Sequence, residues 1–176
     1  MIAGRGPTTK ALIERVTRLV EGVEGLEFKL ATTRAKADAL AAGPSDLLVI
    51  SGHGWVGSDA ANWALGGHKR CVFDLLEAPA HIDAGMVVID ACGVEVDNWT
   101  HRLGPGVPVV HGSVSDEPRA VWNSQANWWI AMLGTLIKEL DGGPWASARL
   151  HDTWRRVQET DVPSTSHEYR TTVTSG

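Results

Sequence analysis

Leu47-Leu48-Val49-Ile50-Ser51-Gly52-His53-Gly54 and Met86-Val87-Val88-Ile89-Asp90-Ala91-Cys92-Gly93 decide the fold. Each is an apolar run of strand length that stops abruptly on a chemically capable side chain. Near-continuous apolar runs mark strands buried on both faces, as in parallel sheets covered by helices. If the two runs are neighbouring parallel strands, His53 and Cys92 emerge at one carboxyl edge. Adjacent strands lie only about 4.8 Å apart, and ligands of open α/β sheets bind outside that edge. A thiol within reach of an imidazole is the minimum apparatus for thiolate catalysis.

The flanking sequence supports alternating strands and helices. Upstream, Thr8 to Val23 carries a helical stripe of Leu12, Val16, Leu19, Val20 and Val23, with Thr8 or Thr9 as its cap. After Gly25, Leu26 to Leu30 alternates like a half-exposed strand, and Thr33 to Ala42 predicts a helix stopped by Gly43-Pro44. The first signature strand then runs from Asp46 to Ile50. A glycine-rich loop is expected over 54–68 and a short helix over Cys71 to Ala78, before the second strand, Met86 to Ala91.

Val107 to His111 is a third buried run, with Pro108 near its start as a strand end tolerates. Pro118 to Leu140 predicts the longest helix, with Ala126, Trp129, Ile130, Leu133 and Ile137 inward, and Trp145 to Gln158 a last one. After Thr160 the chain is polar and reads as a loose tail. The expected organisation is one α/β domain over 1–160 and a C-terminal tail over 161–176, with a mostly parallel central sheet sandwiched between helices.

Composition narrows the function classes. The 176 residues carry a net charge of −5 and no basic run, which gives no reason to expect nucleic acid. No apolar stretch reaches membrane-span or signal-peptide length, and the two cysteines, Cys71 and Cys92, suit a reducing compartment, so a cytoplasmic location is expected. No metal is expected, since the seven histidines and two cysteines form no H-x-x-x-H, C-x-x-C or C-x-x-H pair. A serine hydrolase lacks its G-x-S-x-G elbow. Gly4-Arg5-Gly6 is too slight for the phosphate loop of a flavodoxin-like domain. Eight tryptophans against two phenylalanines and one tyrosine suggest large rings covering the core from the helical side, with an aromatic peptide-binding surface as the alternative.

Alternation along a strand puts residues two apart on one face. Asp90 therefore points the way Cys92 does, and Ser51 the way His53 does, making a small anionic pocket beside the thiol. A desolvated carboxylate calls for a cation, and an incoming Arg or Lys would supply one. The bland alternative has Asp90 capping a nearby loop amide. Asp116, in Gly112-Ser113-Val114-Ser115-Asp116, reads from its own surroundings as a helix cap before Pro118. His68, His81 and His111 read as solvated or structural.

The pairing of Ser51-Gly52-His53-Gly54 with Asp90-Ala91-Cys92-Gly93 resembles the caspase-like cysteine peptidases, which include caspases, metacaspases and bacterial CHAT-type proteases. The animal caspase signature has its histidine about 50 residues before the cysteine; here the interval is 39. Asp90 stands where that signature has glutamine and Val94 where it has glycine, so the likeness is to metacaspases and bacterial members. The resemblance implies Cys92 as nucleophile and His53 as its proton-transfer partner. It also implies the Gly54 and Cys92 N–H groups as oxyanion donors, and Ser51, Asp90 and Asp116 as substrate-binding residues. It implies no cofactor and no third catalytic side chain.

The implied reaction is cleavage of a protein or peptide substrate after Arg or Lys. Residues 94 to 107 leave little room for a processing linker, so an enzyme active as one uncut chain is expected, controlled by a partner, an oligomer or a separate activator protein. Bacterial relatives of this kind act in regulated cell death or antiviral defence. The rival expectation is a catalytically silent module that binds a partner through the same groove.

Overall fold

The computed structural model of the chain describes residues 1–4, 7–51, 81–90, 100–112, 130, 133–139, 147–160 and 169–174. Five strands form one sheet in the order β1 (Ile2–Ala3), β2 (Ser45–Ser51), β3 (Ala84–Asp90), β4 (Pro108–Gly112) and β5 (Tyr169–Val173). The first four run parallel and β5 is antiparallel to β4. The described helices are α1 (Pro7–Val20), α2 (Arg34–Ala42), a helical stretch at 133–139, and α3 (Ser147–Thr160). This is an α/β fold with a mixed, mostly parallel sheet. Among the described residues, no helix is long and apolar enough to cross a membrane.

Continuous apolarity of β2 and β3 is explained by cover on both faces. On one face Ile2, Leu48, Ile50, Val87, Ile89 and Val109 pack against Ala37 and Ala41 of α2. On the other, Ala3, Val49, Met86, Val88 and Val110 meet Leu12, Val16 and Val20 of α1, Leu133 and Leu136, and Leu150 and Trp154 of α3. Each fully buried Ile or Leu contributes roughly 1.5–3 kcal/mol relative to exposure. The alanines of α2 matter for their size, because a helix with small contact residues lies close on the sheet. Trp154, fully buried, covers the core from the helical side as the tryptophan count suggests.

The crossovers explain which helix covers which face. Residue 31 bridges β1 on its outer side, where Ala3 N donates to Ala31 O and Ala31 N to Met1 O, both at 2.9 Å. The chain therefore leaves β1 outward through α1, then returns across it through α2 to β2. Parallel crossovers are right-handed in nearly all proteins, so opposite directions of travel put α1 and α2 on opposite faces, as found.

Several boundaries differ from expectation. Pro7 begins α1, so Thr8 and Thr9 lie inside the helix rather than at its cap. Proline suits a first helical turn because its missing N–H has no partner there anyway. Helix α1 stops at Val20, and Gly22 and Gly25 follow in left-handed backbone (φ 77° and 75°), which glycine adopts without steric cost. Leu26 to Leu30 is not a strand; only Ala31 bridges β1, because a two-residue strand offers no longer ladder. For α2, Thr33 takes the extended cap conformation but makes no side-chain cap bond.

The tail is the largest correction. Residues 169–173, read as loose, form β5 on the outside of β4, because β-branched Thr171, Thr172 and Val173 suit an edge strand. Thr174 fastens the end: its hydroxyl accepts from Val107 N at 2.8 Å and donates to Gly104 O at 2.6 Å. The predicted loop 54–68 and helix 71–78 lie outside the described residues. So does most of the predicted helix 118–140, of which 130 and 133–139 are helical.

Candidate functional site

Strand register builds the site. Ala3 pairs with Ser51, and Ser51 pairs with Asp90, so three residues form one row across the carboxyl ends of β1, β2 and β3. Alternation puts this row on the same sheet face as Val49, Met86 and Val88, beneath α1 and α3. One position earlier, Ile2, Ile50 and Ile89 form a wholly apolar row on the opposite face. The chemistry of the edge begins where that apolar floor stops.

Ser51 and Asp90 have no solvent exposure, and the Ser51 hydroxyl donates to Asp90 Oδ2 at 2.7 Å. That length is typical of a hydroxyl bonded to a carboxylate. A buried acid without such bonds costs several kcal/mol of lost hydration (roughly 3–5), so Ser51 is part of what makes Asp90 tolerable there. The bond also fixes the direction of the carboxyl group at the edge. The loop that Asp90 would cap lies outside the described residues.

A second geometric feature marks the same place. The winding of the sheet reverses between β1 and β2, since residue 31 lies outside β1 and β2 inside it. Open α/β sheets bind ligands in the crevice at such a reversal, outside the carboxyl ends. The reversal falls at Gly4 and Ser51, joined by a Gly4 N to Ser51 O bond of 2.9 Å. Sequence reasoning missed β1 altogether. The signal was slight: Met1-Ile2-Ala3 is short for a strand and ends in glycine.

Of the sequence-predicted site residues, the fold brings Ser51 and Asp90 together as expected. His53, Gly54, Cys92 and Asp116 lie outside the described residues. His111 is buried on β4, its Nε2 3.3 Å from Thr172 Oγ1 on β5, which fits a structural role. His81 is exposed, and His68 is outside the described residues. Among the described residues, no group of three or more His, Cys, Asp or Glu could hold a metal ion.

Fold and site thus define an α/β protein with a buried hydroxyl–carboxylate pair at the reversal point of its sheet. Compared with protein-family models, curated proteins and solved structures, the chain matches none of them.

Proposed function

We propose that this chain is a caspase-like cysteine endopeptidase that acts in the cytoplasm and cleaves a protein substrate after Arg or Lys. One observation carries the reading. Every paired residue of β2 and β3, from Ser45 with Ala84 to Ser51 with Asp90, is 39 positions apart, and His53 and Cys92 are separated by the same 39. A register continued for two more residues would set the histidine opposite the cysteine, on the face that carries Ser51 and Asp90.

In the proposed reaction, His53 takes the Cys92 thiol proton and the thiolate attacks the scissile carbonyl. The N–H groups of Gly54 and Cys92 hold the developing oxyanion, usually the largest electrostatic contribution in acyl transfer. His53 then returns the proton to the leaving amine, and water hydrolyses the acyl-enzyme with His53 as base. Asp90, held by Ser51, recognises the substrate cation, and Asp116 belongs to the pocket wall. Reaching Asp90 requires the substrate to enter a position that is fully buried in the free chain.

That burial also favours a second reading, in which Asp90 only braces the edge of a silent, partner-binding module. Matched fluorogenic peptides that differ only before the scissile bond separate the two. The proposal expects hydrolysis after Arg and Lys at least about 30-fold faster than after Asp, the lower bound for leaving a buried charge unpaired. Binding without hydrolysis would favour the silent module, and cleavage after Asp would overturn the pocket.

A further inference from the structure

A cavity of about 540 Å³ opens beside β2, along its residues 45–49. Along β2 its lining runs from Ser45 to Val49, two residues short of Ser51. Its walls include Val16 and Val20 of α1, Phe28, Leu47 and Leu133. Glu24, Glu27, Asp46 and Lys29 also line it, and all four are exposed.

Among the described lining residues, the charges at this mouth do not cancel. Lys29 Nζ lies 3.2 Å from Glu27 Oε1, which pairs the one lysine with one of the three carboxylates. The Met1 amino group donates to Lys29 O at 2.7 Å, and burial pushes its pKa down from 8.0 to about 6, so it adds little positive charge at pH 7. Glu24 and Asp46 are left as a negative rim on a pocket whose lining is part polar and part apolar.

We propose that this cavity binds a small organic cation with an apolar body, of the lipophilic primary amine class. Its volume falls within the roughly 300–1,000 Å³ of small-molecule sites. The apolar side chains of the wall, Val16, Val20, Phe28, Leu47 and Leu133, take the hydrocarbon out of water, and the rim carboxylates hold the ammonium head in solvent, where salt screens the contact. The assignment uses none of the proposed catalytic residues, so it stands or falls apart from the peptidase reading.

Calorimetric titration of the full chain at pH 7 tests it, with octylamine, octanol and octanoate as probes of one chain length and three charges. Octylamine should bind saturably at one site, at least tenfold tighter than octanoate, with octanol between them, and more weakly in high salt. Glu24→Gln with Asp46→Asn should weaken octylamine about three- to tenfold, the scale of exposed charge contacts. Octanol binding should not change. Both side chains are exposed, so unfolding curves of this variant should match the parent. Absence of saturable binding, equal affinity for all three probes, or indifference to the double substitution would overturn the assignment. So would binding of a lysine-containing apolar octapeptide but not octylamine, which would give the cavity to a polypeptide segment.

Discussion

In the proposed reaction, Asp90 is the residue on which specificity would turn. It is fully buried and bonded by Ser51, so its carboxyl group has a fixed direction and little water. An arginine or lysine arriving beside it replaces that missing hydration with an opposite charge, whereas an aspartate would bring a second desolvated anion. Asp90→Asn keeps an acceptor for the Ser51 hydroxyl and nearly the same volume, so the fold should persist. Removing one member of a buried charge pair costs roughly 2–5 kcal/mol, about 30- to 4,000-fold in rate. The variant should therefore lose at least about 30-fold in kcat/KM on an arginyl peptide, at the lower end of that range. On the matched alanyl peptide it should lose much less. Equal losses on the two peptides would assign Asp90 to bracing the sheet edge.

At the scale of elements, the buried strands were legible and the short or exposed ones were not. Leu47 to Ile50 and Met86 to Ile89 announce themselves because both faces are covered, leaving no polar residue to interrupt the run. The Leu12, Val16, Val20 stripe of α1 was legible for the matching reason, one buried face at helical spacing. By contrast β1 has two residues, too few for any period, and is held by neighbours distant in sequence. Strand β5 hid in a polar segment because it lies at the edge of the sheet, where Val173 is half exposed. Its attachment is testable through Thr174, whose buried hydroxyl serves Val107 N and Gly104 O. Thr174→Val preserves shape but orphans both groups, which should cost about 1–3 kcal/mol in urea unfolding. A change within about 0.5 kcal/mol, as for an ordinary surface substitution, would show that β5 is not fastened there.

Two features of different chemistry lie along β2: a buried Ser51–Asp90 pair at its carboxyl end, and an acid-rimmed cavity beside residues 45–49. The first was legible because strand alternation and the 39-residue spacing are written in the sequence. The cavity was not, since it forms between α1, the segment after Gly25 and the start of β2, which only tertiary packing brings together. The account's central claim is that Cys92 is a nucleophile served by His53. Cys71, which lies outside the two paired motifs, is its internal control. An arginyl peptide bearing a thiol-alkylating group, read by intact mass and peptide mapping, addresses the claim in one measurement. The account predicts a single adduct on Cys92, unchanged in Cys71→Ser, strongly slowed in His53→Ala and absent in Cys92→Ala, which should also have lost peptide turnover. An adduct on Cys71, or turnover surviving in Cys92→Ala, would contradict it.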